Sequence, residues 1–166
     1  SKPGTWYLGN VSGTSALTVS TGSGTNFVNI CDSATVLLNK RNADQATAVG
    51  SGAVFEVHVA AGHPTATSMQ QSDESAVAYL VEKTANSGQY VLTGTPPSGS
   101  GLSSLVGTAD NFGKTYLHSH YDSGNVLVET QLLSGKYYFV EKVTAAGYAH
   151  DYVGTTTDLK KHYFTV

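Results

Sequence analysis

Residues 135–148 read GKYYFVEKVTAAGY. Side chains on a β-strand point alternately to the two sheet faces, so Tyr137, Phe139, Glu141 and Val143 share one face. Lys136, Tyr138, Val140 and Lys142 share the other, and its two lysines mark it as the solvent-compatible side. The run is rich in aromatic and β-branched residues and is followed by Ala-Gly, which fits a strand leaving into a turn. Glu141 therefore points where the apolar residues point. A carboxylate on a core face is costly unless a partner compensates it.

A partner of opposite charge is offered by TVLLNK, residues 35–40. Val36, Leu38 and Lys40 fall on one face, Leu37 and Asn39 on the other, so Lys40 points inward if Val36 and Leu38 do. The plain alternative is two frayed strand ends whose charges snorkel to solvent. The chemical alternative follows from burial, which lowers a lysine pKa and raises a glutamate pKa, so that an inward pair can exchange its proton. A neutral amine is a nucleophile, and a protonated carboxyl can donate to a carbonyl. A carboxamide placed beside such a pair would be attacked by the amine and lose ammonia, leaving an amide cross-link between strands.

The rest of the chain is punctuated in the same way. Short runs such as AVFEVHVA (53–60), QYVLTG (89–94), KTYLHSH (114–120), NVLVET (125–130) and KHYFTV (161–166) lie between Gly, Ser, Asn and Asp. Within 53–60, Phe55, Val57 and Val59 alternate with Glu56 and His58. HYDSGNVLVET reads as a turn entering a strand. ESAVAYLVEKTA (74–85) has apolar spacing that fits a short helix as well as a strand. GTPPSGSGLSSLVG (94–107) is a loop by composition, and no fixed-period repeat indicates a solenoid or propeller. Gly, Ser and Thr make up about a third of the 166 residues, which suits short strands and turns. The predicted fold is an all-β, mostly antiparallel β-sandwich in one domain, residues 1–166.

Composition narrows the function classes. Charged residues are 13% of the chain and the formal net charge is −3, with no basic patch for nucleic acid and no acidic tail. No apolar run approaches the roughly 20 residues of a membrane-spanning helix, and no signal peptide is recognisable. The chain is thus read as cytosolic, or as a mature or excised piece of an exported protein. Cys31 is the single cysteine, which excludes an intrachain disulfide. It reads as an inert buried thiol, the sharper alternative being a thioester with a glutamine.

TVLLNK followed by GSGAVFEV, and then DSGNVLVETQLLSGKYYFVEKVTAAGY, resembles the collagen-adhesin B-type (Cna B) domain of Gram-positive surface adhesins and sortase-assembled pilins. The similarity spans roughly residues 34–166, with an insertion near 64–115; residues 1–33 would add N-terminal strands. GKYYFVEKVTAAGY resembles the pilin E-box. The resemblance implies an immunoglobulin-like sandwich with an autocatalytic Lys–Asn or Lys–Asp isopeptide bond, Lys40 as the lysine and Glu141 as the catalytic acid. The family's acceptor lies on its last strand, whereas no asparagine follows Asn125 here, and Asp151 and Asp158 precede KHYFTV. The acceptor is expected just beyond Val166; a second molecule, or a domain that kept only the Lys–Glu pair, are the alternatives. The implied setting is extracellular, cell-wall anchored or pilus-associated. The implied partners are other pilin or surface-protein subunits, joined by strand addition, and a host matrix or glycan ligand, with no nucleic acid and no membrane insertion. The sorting signal and the Tyr-Pro-Lys linkage motif of pilins are missing from the sequence.

The remaining signals are weaker. His118 and His120 put two imidazoles on one strand face without an identifiable third metal ligand, so no metal or cofactor is assigned. TGSGTN (21–26) lacks the lysine or helix of a phosphate loop. Asn10 heads an Asn-Val-Ser sequon, and Trp6 reads as a packing residue. No Ser/His/Asp set supports hydrolysis, and turnover of an external substrate is not expected. The alternative function is a carbohydrate- or matrix-binding module using Tyr116, Tyr121 and Tyr152.

Overall fold

The computed structural model describes residues 33–41, 51–60, 74–111, 113–154 and 157–166. The readings of Trp6, Asn10, the Gly-rich stretch at 21–26 and Cys31 fall outside the described residues. Nine strands are present among the described residues: β1 (Ser33–Ala34), β2 (Leu37–Asn39), β3 (Val54–Val59), β4 (Ala76–Glu82), β5 (Gln89–Thr93), β6 (Leu117–Tyr121), β7 (Leu127–Leu133), β8 (Lys136–Val143) and β9 (His162–Thr165). All pairings are antiparallel. One sheet has the order β1-β7-β6 and the other β2-β5-β4-β3-β8-β9. The two form the all-β sandwich expected from the turn-punctuated sequence.

Segment 74–85, whose spacing left helix and strand open, resolves as β4. Val77, Ala78, Tyr79 and Leu80 are consecutive and all buried, which requires both faces of a strand to be covered. No helix among the described residues is long and apolar enough to cross a membrane.

Between the sheets, Tyr137 of β8 meets Tyr116, just before β6, edge to face at 6.3 Å. The Tyr137 hydroxyl donates to the Leu133 carbonyl at 2.7 Å, which satisfies a buried polar group inside the core. Leu132 and Leu133 bring the buried end of β7 into the same region. Phe164 of β9 stacks on Tyr137 at 5.7 Å, so the last strand extends this inner aromatic layer. Gly94 lets the 94–107 loop fold tightly, since a Cβ there would come within 2.9 Å of Val106 Cγ2.

The other face of β8 departs from the solvent-facing expectation. Tyr138 and Val140 are buried and cluster with Ala60 and Leu159. Leu159 packs over them and is joined to Tyr152 by an antiparallel bridge. His58 stacks flat on Tyr138 at 5.0 Å, and the Lys161 ammonium lies 4.5 Å from the centre of that ring. Glu56 is almost fully buried here, bonded by His58 Nε2 at 2.8 Å and approached by Lys142 at 3.4 Å. Only Lys136 and Lys142 keep the exposure that their face suggested.

Candidate functional site

Alternation along β2 leaves Leu37 and Asn39 exposed and turns Leu38 and then Lys40 inward. The Lys40 backbone N–H bonds the Gly88 carbonyl at 2.8 Å, which fixes the residue past the strand end. Alternation along β8 turns Glu141 to the same interior, directly across from Phe55 of β3. The Lys40 ammonium and a Glu141 carboxylate oxygen are in contact, with 20% and 13% of the side chains exposed. The two charges therefore meet each other instead of snorkelling apart.

This contact says something about the sheet. Three strands stand between β2 and β8 in the sheet order. At the usual strand spacing a flat sheet would hold them about 19 Å apart, beyond the combined reach of a lysine and a glutamate. The six-stranded sheet curls until β2, at one end, approaches β8, the strand next to the other end, and the ion pair ties these two together.

Aromatic rings form the floor of the site. The Lys40 ammonium lies 5.3 Å from the centre of Phe55. Phe55 in turn packs edge to face on Tyr90 at 5.0 Å and on Phe139 at 5.6 Å. A cation on a ring face gains electrostatic attraction, most where water is excluded. A cavity of about 370 Å³ opens beside the pair, lined among others by Leu38, Phe55, Phe139, Asp151, Lys160 and His162. The His150 imidazole bonds the Glu141 carbonyl at 2.9 Å and pins the returning chain beside the site.

Two residues here, His162 and Tyr90, were not singled out from the sequence. His162 stacks on Phe139 at 5.0 Å, as its alternation with Phe164 on β9 could have indicated. Asp151 borders the cavity but pairs with Lys160 at 3.1 Å, and Asp158 is exposed. Tyr90 is fully buried, and its hydroxyl has no hydrogen-bond partner among the described residues. Burial first, then the charges of Glu82 and Glu141, push its pKa up to about 12.

Other sequence candidates separate. Tyr116 is completely buried and unavailable to a ligand, while Tyr121 and Tyr152 are exposed on different parts of the chain. His118 and His120 are exposed on β6, and no group of three or more His, Cys, Asp or Glu able to hold a metal occurs among the described residues. Comparison of the chain with protein-family models, with curated proteins and with solved structures finds no match.

Proposed function

We propose that the chain is a structural and adhesive module of a Gram-positive pilin or surface adhesin, of the Cna B type, whose Lys40 and Glu141 are set to form an isopeptide bond. The observation that carries this is the contact of Lys40 with Glu141, mostly buried on an aromatic floor beside a cavity. A surface ion pair has no need of such a setting, and one confined among apolar groups gains little stability from its charges.

In the proposed reaction a proton passes from the Lys40 ammonium to Glu141 within their contact. The neutral amine attacks the carboxamide carbon of an incoming Asn, and the Glu141 carboxyl protonates the carbonyl oxygen as the tetrahedral centre forms. Glu141 then relays the proton to the departing nitrogen. The C–N bond to that nitrogen breaks, ammonia leaves, and an amide joins Lys40 to the acceptor. With an Asp acceptor, water leaves instead. The reaction happens once per molecule.

The acceptor is proposed to arrive on an added strand, following Val166 or belonging to another molecule. Among the described residues β9 has β8 as its one sheet neighbour, and His162 and Lys160 border the cavity. A strand adding along β9 would run past Lys40, and free edges invite such addition. The proposed location is extracellular, cell-wall anchored or pilus-associated.

Intact-mass measurement on the protein isolated from its producing cell tests the reading. With the acceptor in the same chain the expected mass is lower than the sequence mass by about 17 Da for Asn, or about 18 Da for Asp; with the acceptor on another molecule it is the sum of the two masses less the same amount. Digestion should give a branched peptide containing Lys40. Glu141→Ala and Lys40→Ala should each restore the full sequence mass. An unmodified Lys40 in the native protein would refute the bond.

A further inference from the structure

The motif LHSHY (117–121) is not used by the Lys40–Glu141 site, and it is nearly palindromic about Ser119. We infer that β6 pairs with β6 of a second copy around Ser119 and that the four histidines so assembled bind one divalent zinc ion.

The strand is open for this. β7 is the one sheet neighbour of β6 among the described residues, and residues 118–128 are all exposed. Natural edge strands are commonly guarded by lysine, proline or a covering element, whereas residues 117–121 contain neither lysine nor proline. The register shows which backbone groups face outward. Leu117 lies opposite Leu132, and the Leu133 N–H bonds the Tyr116 carbonyl at 3.0 Å. Antiparallel ladders alternate, so His118 and His120 direct their N–H and C=O toward β7, while Ser119 directs both toward the free edge.

Two copies related by a two-fold axis can then exchange both Ser119 hydrogen bonds. In that register His118 of each copy faces His120 of the other in the closer, non-hydrogen-bonded type of pair, with Cα atoms about 4.5 Å apart. All four imidazoles project from the same face. One chain offers two histidines and no third ligand, as the absence of a metal-binding group among the described residues shows. The second copy supplies the two that are missing, and four imidazoles suit tetrahedral zinc.

Charge is matched as well. Glu129 sits opposite His120 on β7, its carboxylate held by Thr35 Oγ1 and Gln131 Nε2 at 2.7 Å each. The two Glu129 carboxylates of a dimer flank the site and balance a dication. Tyr121, 51% exposed, would face Leu117 of the second copy at each end of the pairing.

Light scattering coupled to size exclusion, on the whole chain with zinc chloride and again after EDTA, tests the proposal. The mass should double with zinc and return to the monomer with EDTA, at one zinc per two chains by calorimetric titration. His118→Ala and His120→Ala should each weaken zinc-dependent dimerisation tenfold or more. Ser119→Pro removes the outward N–H and should abolish the dimer with all histidines retained; its unfolding temperature shows that the fold is intact. No change of mass with zinc overturns the proposal, as does a zinc dimer indifferent to both histidine substitutions.

Discussion

At the scale of single residues, Tyr90 is the most exposed to chemical test. Its ring fills the space between Phe55 and β2, where Leu38 lies opposite it, while its hydroxyl is buried without a partner among the described residues. An unsatisfied buried hydroxyl costs about 1–3 kcal/mol, and Tyr90→Phe removes the cost while keeping the ring. The variant should be at least as stable as the parent in urea unfolding at pH 7. The alkaline side follows by linkage: the phenol titrates near 10 when unfolded and is pushed up to about 12 in the fold. The stabilisation of the protonated form is complete below pH 10 and is lost as pH rises toward 12. Tyr90→Phe should remove this part of the alkaline destabilisation. The inward direction of Lys40 and Glu141 was readable from alternation alone. The predicament of the Tyr90 hydroxyl was not, because its neighbours come from β2 and β3 and depend on the curl of the sheet.

At the scale of elements, the outer face of β3 and β8 carries the lesson about covering. Alternation gave the faces of Glu56, His58, Tyr138 and Val140 correctly, but which face meets solvent depends on what packs on it, here Leu159. The sequence around Leu159 has no regular period, so its packing on Tyr138 and Val140 and its bridge to Tyr152 left no mark in the pattern. The strand nature of 74–85 was equally hidden, since a strand covered on both faces loses the alternation that identifies it. β1 is two residues long and exists through its pairing with β7. The covered face makes Glu56 a test of acid stability. Burial acts to raise its pKa, but the His58 hydrogen bond and the charges of Lys142 and His58 outweigh that and hold it below the ordinary 4.5. A depressed carboxyl stabilises the fold above its unfolded pKa, and that contribution is lost as pH falls through the lower folded value. Glu56→Gln should therefore destabilise at pH 7 by about 1–3 kcal/mol. In thermal melts, the difference from the parent should shrink progressively below pH 4.5.

At the scale of the whole molecule, the sandwich was legible, but the approach of β2 to β8 within one sheet was not. Strand runs and turns specify which segments extend; curvature accumulates from the twist and from register shifts, such as those at Val54/Phe55 and Val57/His58 on β3. The Lys40–Glu141 contact is where this accumulated curvature becomes measurable. A double-mutant cycle on the chain without a cross-link, verified by unchanged intact mass, separates tie from packing. Lys40→Met leaves a carboxylate mostly buried and unpaired, and Glu141→Leu leaves an ammonium so, each with an expected cost of about 2–4 kcal/mol. The double variant replaces both charges by apolar groups on the floor of Phe55, Tyr90 and Phe139, and should lie within about 1 kcal/mol of the parent. The coupling between the sites should then be at least about 2 kcal/mol, the size expected of residues in direct contact. Additive single effects in chemical unfolding would mean that β2 and β8 do not meet in solution. A stable double variant would instead show that the fold does not require the two charges.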